Sequence, residues 1–290
     1  MKVDSTEKKK LSRSAEVWRR YRKSPTAMIG LAIISVIILS AIFADIIVPY
    51  DYGIKQVIPD RLQGPSLKHL FGTDDLGRDL FSRVIHGSRS SLVLGILTTA
   101  VATLIGGFLG GICAYYGNRV DNIIMRLLDV ITSIPSTLLS LSIVAALGPG
   151  IRNLVIAITV SRVPTFARVI RSAVLNIVNQ EYIEAAKAGG TRNLRIMLRH
   201  VYPNAMSPII VQCTMSISQL ILQAAGLSFL GMGMQPPAPE WGALLNSARD
   251  FMRTAPHLML FPGIAIVLAA LAFNLVGDGL RDAFDPRLKS

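Results

Sequence analysis

The chain lacks the motifs of the common hydrolases and nucleotide-binding enzymes. No glycine is followed directly by lysine in the 290 residues, which excludes the phosphate-binding pattern G-x-x-x-x-G-K-S/T. The nucleophile pattern G-x-S-x-G and the metalloprotease pattern H-E-x-x-H are also missing. We therefore expect the chain not to be an enzyme, and in particular not to hydrolyse ATP through a phosphate-binding loop.

Cysteine and histidine are scarce. The two cysteines, Cys113 and Cys213, lie far apart in apolar stretches, where cysteine usually packs as a small apolar side chain. The four histidines occupy separate segments without the spacing of zinc ligands: His69, His86, His200 and His257. The sequence therefore predicts no disulfide, no metal site and no cofactor.

Apolar residues, in contrast, form long runs. The chain is 51% hydrophobic and has a mean hydropathy of +0.48, which is high for a water-soluble domain. About 20 apolar residues in a helix cross a hydrocarbon core of about 30 Å. Six runs approach or exceed this length: 27–48, 92–116, 123–147, 151–169, 206–230 and 258–276. The sequence predicts an all-α integral membrane protein with six transmembrane helices.

The basic residues that give the formal net charge of +12 are unevenly distributed. Nine of the 30 lysines and arginines fall within the first 23 residues, and basic residues next to spans mark the cytoplasmic side. We therefore expect both the N- and C-termini to be cytoplasmic. Membrane orientation accounts for the charge, so membrane lipid is an expected partner and nucleic acid is not.

These spans divide the chain into five predicted parts. Residues 1–26 form a basic cytoplasmic N-terminus, in which the mixed aromatic and basic segment 17–23 predicts a short helix at the inner headgroup surface. The first span, 27–48, is too long for a cleaved signal peptide and is interpreted as an anchor. The remaining parts are an extracytoplasmic loop, a five-helix domain and a cytoplasmic tail: 49–91, 92–280 and 281–290.

A polar segment, 180–204, interrupts the apolar runs in the predicted cytoplasm. Small residues within its charged helix would let another protein surface approach closely, and the paired glycines would break the helix. An ordinary cytoplasmic helix with a glycine break is the alternative interpretation. The candidate contact residues are Glu184, Ala185, Ala186, Gly189 and Gly190.

The fifth predicted span carries a polar stripe. Its four residues recur at helical spacing, within roughly 40° of one another around the axis: Gln212, Ser216, Gln219 and Gln223. Such a stripe turns toward a bundle interior or a wet cavity, because polarity is costly against lipid. It predicts either a solute pathway or hydrogen bonds that join helices.

Two predicted outer loops hold further candidates. One, around residues 69–83, mixes apolar residues with charges, which predicts a loop followed by an amphipathic helix on the outer face. The other is stiffened by prolines and followed by a tryptophan suited to the headgroup boundary or to a protein contact. A solvated loop and a simple interfacial anchor are the alternatives. The candidates for a partner contact or a gate are Asp74, Asp75, Arg78, Pro237 and Trp241.

Within the third span, Arg126 and Asp129 lie three residues apart, which predicts an ion pair on one helix face. Pro135 and Pro164 interrupt the third and fourth spans, and each is expected to bend its helix.

The order E-A-A-x-x-x-G in the polar segment resembles the cytoplasmic loop of membrane subunits of binding-protein-dependent ABC importers. The outer runs FGTDDLGRD and SFLGMGMQPPAPEWG and the C-terminal run GDGLRDAFDP are similar to the peptide and nickel group, in the second permease of its pair. The chain departs from the family pattern at His200 and Tyr202. The resemblance covers about residue 64 to the C-terminus.

The resemblance implies a type I ABC importer transmembrane domain in a bacterial or archaeal inner membrane. It implies three kinds of partner: a second homologous permease, two ATPase subunits, which contact residues 184–190, and an extracytoplasmic solute-binding protein. It also implies transport of dipeptides or oligopeptides, with glutathione or chelated nickel as alternatives. A stand-alone channel or secondary carrier, and a membrane scaffold without transport, are the interpretations from other classes.

Overall fold

The computed structural model describes residues 13–285, which form helices joined by loops. Within this range the only strand-like pairing is an isolated bridge between Thr73 and Asp79. The first twelve residues of the predicted basic leader and the last five of the predicted tail lie outside it. The helices are α1 (Arg13–Tyr21), α2 (Pro25–Ile42), α3 (Ala44–Ile47), α4 (Leu80–Tyr116), α5 (Asn118–Thr132), α6 (Ser136–Leu147), α7 (Ile151–Val178), α8 (Glu181–Ala188), α9 (Asn193–Ile196), α10 (Tyr202–Phe229), α11 (Trp241–Ala248) and α12 (His257–Phe284). Three short 3-10 helices, Tyr50–Gly53, Ile58–Asp60 and Arg249–Phe251, lie in the loops, and a π-helical turn, Met197–Val201, leads into α10.

Five of these helices are long and apolar enough to cross a membrane: α2, α4, α7, α10 with the segment before it, and α12. The prediction of an all-helical membrane protein is confirmed. The third predicted span, residues 123–147, is not one bent helix. It consists of α5 and α6, which meet at an angle of 80°. Proline has no backbone N–H and disfavours a helical residue before it, so Pro135 starts a new helix.

The predicted amphipathic helix after the first outer loop is the outer end of a spanning helix. α4 runs without a break from Leu80 to Tyr116. Asp79 caps it, because its carboxylate accepts the backbone N–H of Ser82 at 2.8 Å. The first turns of α4 bury polar side chains such as Arg83 and His86 against the loop rather than presenting one face to the membrane surface.

Close helix packing depends on small residues of α4. A Cβ added to Gly106 would lie 2.6 Å from the Cβ of Phe166, and one added to Gly110 would lie 2.3 Å from the carbonyl oxygen of Ala167. α4 therefore packs against α7 almost backbone to backbone, as small residues allow between membrane helices. α10 joins this pair from the other side through an apolar cluster that includes Leu94, Ile158 and Leu220.

Two ion pairs join α5 to α7. Asp129 accepts a hydrogen bond from Arg168 at 2.7 Å, and Asp121 pairs with both Nε and Nη2 of Arg171. The predicted pair between Arg126 and Asp129 is therefore wrong. The two residues share one helix face, but α5 lies along α7 and the Asp129 carboxylate reaches an arginine of that neighbour instead.

The predicted N-terminal helix is present as α1, packed on the C-terminal end of α12. Tyr21 is 3% exposed, and its hydroxyl donates to the carbonyl of Ala27 at 3.1 Å. Trp18 stacks on the Tyr21 ring but remains half exposed. An exposed tryptophan beside basic residues is compatible with the predicted position at the headgroup surface, which stays a prediction.

Candidate functional site

The polar segment forms a short helix, α8, fixed by one buried side chain. Ile183 is fully buried in an apolar cluster with Val178, Ile196 and Val201. Glu184 and Ala185 face outward and are exposed, whereas Ala186 packs partly against the cluster. The helix therefore presents an acidic and a small residue on its exposed side while Ile183 anchors it to the apolar cluster.

The glycine pair ends α8 as predicted. The N–H of Gly189 donates to the carbonyl of Ala185 at 2.9 Å, and that of Gly190 donates to the carbonyl of Lys187 at 3.0 Å. Gly190 has a φ of +73°, in the left-handed region that only glycine adopts readily. A Cβ there would meet nothing within 4 Å. The backbone conformation, rather than lack of space within this chain, therefore requires glycine.

Tyr115 of α4 makes two contacts with the segment. The Lys187 ammonium lies 5.0 Å from the centre of the Tyr115 ring, within the range of a cation–π interaction. The hydroxyl of Tyr115 donates to Asn193 Oδ1 at 2.8 Å. The last turn of α4 thus contacts both α8 and α9, on either side of the glycine break.

Three large apolar side chains near this site were not identified from the sequence. Tyr182 is 47% exposed, Leu194 68% and Leu198 61%. Together with Glu184 and Ala185 they make the surface of the segment partly apolar, which is typical of a protein contact. The sequence did carry a signal for them: large apolar residues occur in the polar segment at positions outside its buried face.

The two departures from the family pattern differ in their surroundings. His200 lies in the π-helical turn and is half-buried. The hydroxyl of Tyr202 donates to the carbonyl of Gly107 at 3.0 Å, and a Cβ on Gly111 would lie 2.0 Å from that hydroxyl oxygen. Tyr202 therefore fits against α4 because a glycine lies opposite it.

The polar stripe of α10 divides into two parts. Gln223 is 8% exposed, accepts hydrogen bonds from Nε and Nη2 of Arg162 at 2.9 and 2.7 Å, and donates to Ser140 Oγ at 3.2 Å. It therefore joins α10 to α6 and α7. Gln219, one turn away, is exposed.

In the N-terminal half of the stripe, Gln212 is half-buried and Ser216 is buried. Gln212 donates to Ser216 Oγ at 3.0 Å, one turn along the same helix. Gln212 also lines a groove of about 550 Å³ between α10 and the end of α12, beside Met215 and Arg281. Of the four stripe residues, Gln212 and Gln219 can contact a solute without displacing a neighbour.

The candidates on the first outer loop form a buried turn. One carboxylate oxygen of Asp74 accepts the N–H groups of Leu76 and Arg78, both at 2.9 Å, and the other accepts Arg78 Nε at 2.7 Å. Asp74 and Arg78 are 7% and 4% exposed, whereas Asp75 is half-buried. Asp74 and Arg78 hold the loop together, and only Asp75 is available for direct contact.

The second outer loop is fixed by Trp241 and Glu240. Trp241 is 2% exposed and its indole N–H donates to the carbonyl of Val84 at 2.9 Å, so the ring packs on α4 and does not face the headgroup region. Glu240 caps α11 by accepting the N–H groups of Gly242 and Ala243, and Ser91 donates to it at 3.2 Å. Burial raises the pKa of Glu240 above its ordinary value. Pro237 is exposed.

Within residues 13–285 no three His, Cys, Asp or Glu side chains lie close enough together to hold a metal ion. Cys113 is buried and Cys213 contacts Thr103, so neither is paired with the other.

The chain matches the family of binding-protein-dependent transport system inner membrane components over residues 102–290. Residues 12–65 match the N-terminal transmembrane domain of oligopeptide transport permease C. The chain therefore belongs to the inner-membrane permease family of binding-protein-dependent ABC importers, and it is a multi-pass membrane protein. The family resemblance inferred from the E-A-A segment is confirmed.

Individual proteins of this family are similar along nearly the whole chain. A dipeptide transport system permease of Alkalihalophilus pseudofirmus is 47% identical over 95% of this chain and 90% of its own length. A glutathione transport system permease of Escherichia coli is 46% identical over 94% and 90%. A di/tripeptide transport system permease of Pseudomonas aeruginosa is 44% identical over 95% and 92%.

A solved structure shares the fold. An inward-facing MetNI methionine ABC transporter chain matches with a TM-score of 0.57 and 18% identity, over 70% of this chain and 97% of that one. At this identity the likeness establishes the fold of an ABC importer transmembrane domain.

Proposed function

We propose that this chain forms half of the translocation pathway for short peptides, pairs with a second homologous permease and is driven by two ATPase subunits through α8. Relatives named for dipeptide, di/tripeptide and glutathione transport, at 44–47% identity, support this solute class. An extracytoplasmic binding protein delivers the solute to the outer face, where Asp75 and Pro237 are accessible. Glutathione is the nearest alternative solute, and chelated nickel is a weaker one.

The observation that carries the proposal is the construction of the coupling segment. Glu184 and Ala185 are exposed on α8 while Ile183, on its opposite face, is buried among residues of α7 and α10. A force applied to the exposed face would be transmitted to those spans because the buried face cannot slide freely. Packed elements of this kind move together as units.

A mechanism follows from these attachments. When the ATPase subunits close around ATP, the grooves that hold the two coupling helices approach each other. The Lys187–Tyr115 contact and the Ile183 cluster carry this displacement into α4, α7 and α10. The pathway between the two permeases then opens outward to receive solute, and hydrolysis resets it. The ATPase subunits hydrolyse ATP, and this chain transmits their movement to the pathway.

Two other classes of function make different predictions. A stand-alone channel or secondary carrier would transport solute without ATPase subunits and would leave the exposed face of α8 without a partner. A scaffold would leave the exposed Gln219 in a membrane helix unexplained.

Reconstitution tests the proposal. The chain, its second permease and the ATPase subunits would be co-expressed from their own operon, purified in mild detergent and placed in proteoliposomes with the binding protein. We expect ATPase subunits to co-purify and labelled dipeptide to accumulate only when ATP is present on the side of the ATPase subunits. Uptake by this chain alone, driven by an ion gradient, would overturn the proposal in favour of a secondary carrier.

A further inference from the structure

Arg162 lies deep inside a membrane-spanning helix. It is the twelfth residue of α7, which begins at Ile151, so at about 1.5 Å per residue it is about 16 Å along the axis. The hydrocarbon core is about 30 Å thick, which locates Arg162 near mid-depth. A guanidinium at this depth is costly against lipid, and such residues usually face a bundle interior or a wet cavity and belong to solute pathways.

The partner of Arg162 is neutral. Its Nε and Nη2 both donate to one oxygen of Gln223, which itself donates to Ser140. No carboxylate among residues 13–285 lies within ion-pair distance of Arg162, whereas Arg168 and Arg171 on the same helix each have one. Gln223 therefore orients the guanidinium without neutralising it, and Nη1 remains for another acceptor.

The side chain is also within reach of solvent or solute. Arg162 is only half-buried, and Gln219, which is exposed, lies one turn from Gln223 on the same face of α10. One turn of helix is about 5.4 Å of rise. Arg162 is therefore hydrogen-bonded to the buried Gln223, and the exposed Gln219 lies one turn before Gln223 on the same face of α10.

We propose that Arg162 is a carboxylate-binding site in the solute pathway and that it receives the C-terminal carboxylate of the transported peptide. The inference rests on the proposed function, since it requires the face of α10 with Gln219 to line the route. A guanidinium binds carboxylate in a fixed, charge-assisted geometry. A neutral hydrogen-bond partner such as Gln223 suits this role. An acidic residue in its place would form an ion pair with the guanidinium and repel the carboxylate of the solute.

The competing explanation is that Arg162 pairs with an acidic residue of the second permease. In that case its charge is cancelled in the assembled transporter, and no excess positive potential reaches the pathway. The two explanations differ in one measurable quantity, the electrostatic potential beside Gln219 in the complete complex.

The experiment measures that potential with two thiol reagents of similar size. Gln219→Cys is made in a chain carrying Cys113→Ala and Cys213→Ala, and the assembled transporter is treated with iodoacetate or iodoacetamide. In both reactions the thiolate forms a carbon–sulfur bond and displaces iodide, so intrinsic thiol reactivity cancels in the ratio of the two rates. Only the anionic reagent responds to a nearby positive charge.

We expect Arg162→Gln to lower the iodoacetate-to-iodoacetamide ratio on the order of fivefold, as for loss of a nearby unit charge in a partly wet site. Arg162→Lys should keep most of the ratio. Arg152→Gln is the matched control, because it removes an exposed charge from the first turn of the same helix. An excess of unlabelled dipeptide should slow both reagents in the chain with Arg162, and its C-terminal amide should do so less.

Three results would overturn the proposal. The ratio could stay unchanged in Arg162→Gln, as pairing with the second permease requires. The new thiol of the Gln219→Cys variant could fail to react with either reagent, which would mean that this face is sealed. The free-acid and amidated dipeptides could protect equally. ATP-driven peptide uptake is measured in parallel with the transporter that keeps Arg162. If that uptake is present, any of these three results contradicts only the role of Arg162 and not the proposed function.

Discussion

The Lys187 ammonium lies 5.0 Å from the centre of the Tyr115 ring, so helix α8 rests directly on the last turn of the spanning helix α4. The same tyrosine donates to Asn193 beyond the glycine break. One side chain of α4 thus contacts the polar segment on both sides of its bend, through Lys187 of α8 and through Asn193 of α9.

Replacement of Tyr115 should separate these two contacts. Tyr115→Phe keeps the ring beneath Lys187 and loses only the hydrogen bond to Asn193, whereas Tyr115→Ala loses both. We expect Tyr115→Ala to lower solute-stimulated ATPase activity about two- to fivefold and Tyr115→Phe to lower it less, since an exposed cation–π contact contributes about 0.5–1 kcal/mol. The measurement is ATPase rate with and without loaded binding protein. Equal activity of the two variants would contradict a role for the ring.

The two glutamines at adjacent turns of α10 should behave differently. Gln223→Leu removes a buried partner of Arg162 and Ser140, so we expect it to lower the stability of the assembled complex by about 0.5–2 kcal/mol. Gln219→Leu changes an exposed side chain and should lower uptake or alter solute preference with assembly intact. Thermal unfolding of the complex and dipeptide uptake are compared for both. If Gln219→Leu destabilised the complex while uptake per assembled transporter stayed normal, the pathway role would be lost.

Individual residues show which features of the fold can be predicted from the sequence and which cannot. The glycine break was predictable because Gly189 and Gly190 act through their own backbone, and the spans were predictable because hydropathy is a local property. The break at Pro135 was not, because a proline in a membrane helix is tolerated or not according to its neighbours, as the intact α7 around Pro164 shows.

Site residues were predictable only where contacts are local. The spacing of Gln212 to Gln223 predicted that these residues share a helix face. It did not predict that Arg162 of α7 would donate hydrogen bonds to Gln223. Trp241 was identified as a residue with a special position, yet its burial against Val84 depends on how α11 folds back onto α4. The pairing of Asp129 with Arg168 likewise depends on the direction in which α5 runs.

The stability of the protein should respond to pH through Glu240. Because burial raises its pKa above the ordinary value of 4.5, the folded state keeps this proton to a higher pH than the unfolded state does. Its contribution to stability is therefore full below pH 4.5 and is lost as the pH rises through the raised pKa. Glu240→Gln should flatten this part of the stability profile of the purified complex. A decline of the same steepness in Glu240→Gln would assign it to other groups.

The orientation can be tested with single cysteines in a chain lacking Cys113 and Cys213. Ser66→Cys lies on the exposed first outer loop and Ala188→Cys on the exposed coupling helix. An impermeant maleimide applied to intact cells should label the first and not the second, and permeabilised cells should show labelling of both. Labelling of Ala188→Cys from outside would reverse the orientation and remove α8 from the reach of the ATPase.

The central claim, that α8 transmits ATPase movement to the spans, depends on the bend at Gly190. Gly190→Val forces a β-branched residue into a φ of +73°, at a cost of about 1–2 kcal/mol, and should straighten or displace the segment. Gly189→Ala is the matched control, because Gly189 has an ordinary φ of −74° and an added Cβ would lie 3.4 Å from its nearest neighbour.

The most direct measurement is the ATPase rate of the reconstituted transporter with and without solute-loaded binding protein. We predict that Gly190→Val abolishes the stimulation while the complex assembles in normal amount, and that Gly189→Ala retains it. Full stimulation in an assembled Gly190→Val transporter would contradict the account.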